Sequence, residues 1–367
     1  MLRHITALFL GLLALPTLTL SSPIQNIAVA PSAGHTLVDI NGIYMRATRL
    51  HDSSILGGYA AQDGPNHVLR VVKSTDDGSS WTQIGSVATS VSATHDLDNA
   101  FPLQLPSGRI LFAFRNHDRT ASGEYTYFRI TVCYSDDNGY NWKFLSQVAE
   151  RPAQGVNGLW EPFLRVSASG AAQVYYSSEN SANDQDNLMK ISTDNGASWS
   201  GPHVVSGEGV TSRDGMSAVA EIKGVEGDRN LICVFENTES GPFSVNYVVS
   251  HDDGLTWGGR TRLYTAKNGK DAGAPYVVNV GGTLVTSFMT NEDSLATSVD
   301  GGKMKVVTSA DGGKNWGKLA ITGEAGSHWP GMYSLDEGHL LALYRLDEKG
   351  LVSQKYQVHD EVVTLAT

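Results

Sequence analysis

The sequence predicts an all-β chain folded as a six-bladed β-propeller. Three observations lead there. A turn motif recurs five times at a near-constant period. The segments between its copies read strand, polar turn, strand. A spare strand stands at the N-terminus to close the ring.

The motif is Ser-x-Asp-x-Gly-x-x-Trp. It occurs as STDDGSSW (74–81), SDDNGYNW (135–142), STDNGASW (192–199), SHDDGLTW (250–257) and SADGGKNW (309–316), with starts 61, 57, 58 and 59 residues apart. Each copy lies between β-rich runs such as RITVCY and WKFLSQV. It therefore reads as a hairpin turn in which Ser and Asp side chains bind the backbone, Gly takes the positive φ and Trp packs on the sheet. Between copies come pairs such as FPLQL-PSG-RILFAF, PFLRV-SASG-AAQVYY and YVVNV-GGT-LVTSFM. Four strands per period make one blade. After the fifth motif, MYSL-DEG-HLLALY and LVSQKYQV supply a sixth blade that lacks one strand. The N-terminal segments IQNIAV and HTLVDI are the candidates to complete it and hide its edges.

The first residues read as a secretory signal. Arg3 and His4 precede an apolar run from Ile5 to Leu20, followed by Ser21 and Ser22. We expect a signal peptide over 1–22, a single propeller domain over 23–367, and a secreted protein. The net charge of −11 and the absence of basic blocks argue against nucleic-acid and anionic-membrane partners. Cys133 and Cys233, each inside an apolar run, read as buried thiols. No histidine pair has ligand spacing, so no metal or cofactor is expected.

Adjacent strands run antiparallel, so the head of each first strand and the tail of each second strand share one face. The five turn motifs occupy the other, which makes them structural. Funnel-facing candidates are Tyr44 and Arg46, Asn99, Trp160 and Glu161, Arg213 and Asp214, His328, Trp329 and Tyr333 from the heads. Arg115, Glu179, Glu236, Glu292 and Arg345 come from the tails. Glu161, between Trp160 and Pro162, suits a general acid whose pKa is raised by partial desolvation. Glu236 follows the apolar run LICVF and is held as a nucleophile must be. Two carboxyls over one sugar are what glycoside hydrolysis requires. Plainer readings stand beside these. Glu161 bridges a rim arginine, Glu236 orients Arg213 or Arg345, Asp214 caps a loop, and Trp160 and Trp329 are packing residues rather than sugar platforms.

The Ser-x-Asp-x-Gly-x-x-Trp turn is the Asp box, and a chain with several at this period resembles the sialidase-like propellers. RDGMSAVAEI…LICVFE and GMYSLDEGHLLALY look like the stretches that sialidases use for a Glu/Tyr pair, here Glu236 and Tyr333. Sialidases also grip their substrate's carboxylate with three arginines, and blade five offers none. The chain more closely resembles the fungal exo-arabinanases of glycoside hydrolase family 93, which share the propeller, the boxes and a Trp-Glu motif in blade three. That resemblance implies a retaining exo-α-1,5-L-arabinanase that releases arabinobiose from linear arabinan, with Glu161 as acid/base, Glu236 as nucleophile and Tyr333 supporting it. Asn99, Trp160, Asp214, Trp329 and Arg345 would bind substrate. The expected partner is a polysaccharide, linear arabinan of pectin side chains, and the expected state is a monomer. A sialidase or other exo-glycosidase, and a non-catalytic glycan-binding propeller, are the alternatives.

Overall fold

In the computed structural model, which describes residues 27–222, 230–300, 302–317 and 319–360, six antiparallel sheets stand around one axis. The signal-peptide expectation falls outside the described residues. Blade one comprises Gly42–Arg49, Ile55–Asp63, Asn66–Ser74 and Thr82–Val91. Blade two comprises His95–Gln104, Ile110–Arg119, Tyr125–Ser135 and Lys143–Pro152. Blade three is Leu159–Val166, Ala172–Ser181, Asp184–Ser192 and His203–Ser206, and blade four is Gly215–Glu221, Leu231–Asn237, Ser244–Ser250 and Gly258–Tyr264. Blade five is Ala272–Val280, Thr283–Thr290, Lys303–Ser309 and Ala320–Ala325. Blade six takes Ser327–Ser334, His339–Leu346 and Gly350–Asp360 from the C-terminal part of the chain. Its outer edge is completed by Ile27–Pro31, and Thr36–Asp39 pairs with the same third strand. Both N-terminal candidates are thus used, one after the other along a single long strand.

Each inner strand packs against the inner strands of both neighbouring blades, so the ring is closed. Second strands lie between faces of adjacent blades and are buried on both sides. That is why LICVF and ILFAF are unbroken apolar runs rather than alternating ones. Outer strands face water, and Thr82–Val91 is largely polar and exposed. Cys133 and Cys233 are free thiols in the core.

The five motif turns share one hydrogen-bond pattern. In the third, Ser192 donates to Asp194, the Gly196 amide donates to the Ser192 hydroxyl at 2.8 Å, and the Ser198 amide donates to Asp194 at 2.9 Å. The same three bonds recur around Asp76, Asp137, Asp252 and Asp311. Two consecutive residues of every turn have positive φ, such as Asn195 and Gly196 at 57° and 87°. This explains why the fourth motif position is Asp, Asn or Gly, the residues that tolerate this conformation best. Replacing Asp194 with Ala removes three bonds from an exposed turn. We expect a loss of about 1 kcal/mol in urea unfolding, with specific activity of the folded protein unchanged.

Candidate active site

The head of every inner strand carries the same irregularity. Its register with the second strand slips between Ile43 and Arg46, Asp98 and Phe101, Trp160 and Phe163, Gly215 and Ala218, Gly273 and Tyr276, and His328 and Gly331. At each slip one non-glycine residue has a left-handed backbone: Tyr44, Asn99, Glu161, Met216, Ala274 and Trp329, with φ between 44° and 56°. Such a conformation costs an L-residue about 1–2 kcal/mol, and a bulge re-aims the side chain it carries. Repeated once per blade, it sets six equivalent residues around the funnel. Glu161 is the only carboxylate among them. Three of the six, Glu161, Ala274 and Trp329, precede proline, which is tolerated at a bulge because its missing N–H breaks no ladder bond there.

Glu236 reaches the same place from the tail of the second strand of blade four. Its backbone pairs with Gly215, the residue before Met216 of the ring. The Ala274 amide donates to its Oε2 at 2.6 Å. Gly273 leaves room beside it, since a Cβ there would lie 2.7 Å from that oxygen and push the carboxylate aside. The Met216 amide and the Ser177 hydroxyl face the carboxylate of Glu161. The two acids therefore meet at Gly215–Met216. Each is partly open to the funnel, and neither forms an ion pair among the described residues.

Burial raises both pKa values. For Glu161 burial outweighs the favourable charge of Arg115 and the two facing groups. For Glu236 burial pushes the carboxyl up to about 7, the Ala274 amide opposes this, and the charge of Glu161 adds to it. Both carboxyls are shifted toward the protonated form, and one protonated acid beside one ionised acid is the state in which the first can donate while the second attacks. The face of the sugar that each meets decides which does which.

The structure treats the other candidates unequally. Asn99 is a ring residue, buried, with its Oδ1 lacking a hydrogen-bond partner. Trp329 is another, partly exposed and tilted 45° against Tyr44 with ring centroids 6.5 Å apart. Both are placed to touch a ligand. Arg345 lies at the funnel rim and donates to the carbonyls of Ile40 and Gly42.

Three expectations need correction. Tyr333 does not support Glu236. It lies four residues beyond Trp329, roughly 13 Å along an extended strand, beside Arg49 and Asp77 on the turn face. The aromatic run at the head of that strand puts Trp329, not Tyr333, at the funnel. Asp214 is fully buried and bound bidentately by Arg260 at 2.5 and 2.9 Å, which leaves no oxygen for a sugar. Trp160 packs edge-on against His117, Tyr125 and Phe128, at 5.2, 5.7 and 5.8 Å between centroids, and is an inter-blade packing residue rather than a platform.

The sequence reading passed over Met216 and Ala274, whose contributions are backbone amides. It also gave Tyr44 no role. Pro275 after Ala274 was an available signal for that residue, whereas Met216 and Tyr44 are followed by Ser217 and Met45 and carry no such mark.

The four funnel-facing arginines are committed elsewhere. Arg115 binds Asp96 and Asp98, and Arg213 binds Glu179 at 2.6 Å. Arg46 is buried between the rings of Tyr44 and Tyr276 and donates to the carbonyls of Met45 and Trp329. With Arg345 on main-chain carbonyls, no open trio of guanidinium groups is formed by these residues.

Several solved structures share the architecture. The Penicillium chrysogenum α-L-arabinanase in complex with arabinobiose superposes with a TM-score of 0.68 at 20% identity, covering 93% of this chain and 98% of that one. The GH93 α-L-arabinofuranosidase of Fusarium graminearum with arabinobiose gives 0.68 at 21% identity, covering 91% and 98%. A variant of the NanB sialidase from Streptococcus pneumoniae gives 0.58 at 11% identity, covering 94% and 71%. At such identities the likeness is one of fold. No curated protein sequence matches the chain. The repeated turns and the strands between them account for the family model that does match, the BNR repeat-like domain over residues 59–269, and the chain belongs to that family.

Proposed function

We propose that this protein is a secreted retaining glycoside hydrolase, an exo-α-1,5-L-arabinanase that releases arabinobiose from the non-reducing end of linear arabinan. The observation that carries the reading is the convergence of Glu161 and Glu236, unpaired and with raised pKa values, at the floor of one funnel. Glu236 attacks the anomeric carbon while Glu161 protonates the departing O5, and the glycosidic C–O bond breaks. Water then gives its proton to Glu161 and its oxygen to the anomeric carbon, which frees Glu236 and the disaccharide. The commitment of all four funnel-facing arginines favours a neutral sugar over one bearing a carboxylate. The arabinobiose complexes of the two fungal proteins with this fold support a pentose substrate.

Incubation with linear arabinan, and with sialyl-lactose as control, tests the substrate. Disaccharide from the first and nothing from the second is expected, and sialic acid release would sink the reading. Replacing Glu161 with Gln should lower turnover of arabinan by about 10²–10⁴-fold while sparing substrates whose leaving group needs no proton. Full activity of that variant on the polymer would remove Glu161 from the mechanism.

A further inference from the structure

Arg115 is placed unlike the other funnel-facing arginines. It lies near the tail of the second strand of blade two, opposite Asp98 on the first strand. Its Nη2 donates to Asp96 at 3.2 Å and to Asp98 at 3.3 Å. Both carboxylates lean on that one nitrogen, and the buried Nε has no hydrogen-bond partner. Arg260, by contrast, spends two nitrogens on the single carboxylate of Asp214. A strong ion pair takes that forked form, and the Arg115 contacts do not. What fixes Arg115 instead is an aromatic face. Its guanidinium carbon lies 5.3 Å from the centre of the Trp160 ring, and Trp160 is the residue before Glu161.

The charges around it are unequal. Asp96 is held ionised, because Arg115 and the Tyr125 hydroxyl outweigh its burial. Asp98 is pushed the other way, its burial outweighing Arg115 and the Asn99 amide. Burial also acts against the guanidinium, but the two carboxylates keep it cationic. His67 and His117, also near Arg115, are held toward the neutral form by burial. Arg115 thus has one firm counter-ion rather than two, and its charge reaches Glu161. Among the groups set against the burial of Glu161 it is the largest, ahead of Ser177, Met216 and Arg213. Glu236 and Tyr44 face the same carboxyl.

We propose that Arg115 is a positioning residue for the acid/base: its fixed charge favours the ionised Glu161 left behind once the leaving group has taken the proton. That carboxylate must then draw a proton from water. The proposal rests on the glycosidase reading of Glu161. A cation bonded directly to the acid would keep it ionised and leave nothing to donate. One held back by Asp96 and Trp160 leaves burial dominant and still steadies the charge when it forms. Trp160, a packing residue, is then also the surface that holds the cation beside the acid.

Turnover of p-nitrophenyl α-1,5-L-arabinobioside at saturation tests this. Nitrophenolate leaves without a proton, so the rate reports water attack, in which Glu161 acts only as base. In Arg115→Gln the acid holds its proton more tightly: turnover at pH 5 should fall about tenfold, and turnover at pH 8 should approach the parent's. Arg115→Lys keeps the charge and should restore the rate at pH 5. Asp98→Asn removes a carboxylate, leaves Arg115 on Asp96 and should raise the rate at pH 5. It keeps the test open should the glutamine variant misfold. The Glu161 carboxyl carbon-13 resonance, identified by its loss in Glu161→Gln, should titrate at higher pH in Arg115→Gln and at lower pH in Asp98→Asn. Equal losses at both pH values in Arg115→Gln, or an unmoved titration in both variants, would overturn the role of Arg115 and leave the hydrolase standing. Moved titrations in a parent that does not turn over the arabinobioside would overturn the glycosidase reading instead.

Discussion

Glu236→Gln is expected to abolish hydrolysis and, at pH 8, to make the protein more stable than the parent. The two effects share one cause. Burial holds the Glu236 carboxyl near pKa 7 in the folded chain, against an ordinary value of 4.5. A group whose folded pKa is raised contributes stability below its unfolded pKa and loses it as pH climbs through the folded one. Between about pH 4.5 and 7 the parent therefore accumulates a penalty for ionising this side chain, approaching about 3 kcal/mol above pH 7. The amide never ionises, and its oxygen can still accept from Ala274. Thermal melts of parent and variant should coincide near pH 4 and separate at pH 8, with the variant higher. Turnover should fall by about 10⁴-fold or more, as for loss of a nucleophile elsewhere. The parent's own rate should rise with pH as the Glu236 nucleophile ionises, up to about pH 7. Equal melting temperatures at both pH values, or retained turnover, would contradict the picture of a desolvated nucleophile.

Asp214→Ala should act in the opposite way, costing stability and leaving chemistry alone. Asp214 is fully buried and pairs with both terminal nitrogens of Arg260, while Arg260 also reaches Glu239 at 3.3 Å. Removing one partner of such a pair strands the other charge and costs about 3–5 kcal/mol. Urea unfolding should show this loss. KM for arabinan, measured at a temperature where the variant is folded, should match the parent. A raised KM in a stable protein would instead restore Asp214 to the list of sugar contacts.

The blade count and the face on which the turns lie were readable from the chain because both follow from local chemistry. A hairpin turn needs Asp, Asn or Gly at left-handed positions, and that need repeats wherever the turn does. Burial on both faces likewise writes itself into second strands as LICVF or ILFAF. Glu161 and Glu236 were legible for a related reason: each is an acid set directly against apolar residues at the end of a strand.

Tyr333 and Asp214 show where this reasoning stops. Side chains alternate along a strand, but the residue at which a strand enters the funnel depends on the bulge, and a bulge moves everything beyond it. Counting from HWPGMY could not tell that Trp329 occupies the bulge and that Tyr333 has already run to the other face. The partner of Asp214 is Arg260, 46 residues away on the outermost strand of the same blade, and no local pattern announces it. Trp160 likewise meets three aromatic partners from the neighbouring blade.

What the chain determined by itself was periodic: six blades, their turns, and an acid at two strand ends. What tertiary structure alone decided was convergence. Whether two carboxyls feel each other's charge depends on the close approach of blades three, four and five around Gly215, Gly273 and the Ala274 amide. The physical reason is that electrostatic coupling and desolvation fall off within a few ångströms in space, while sequence records only separation along the backbone.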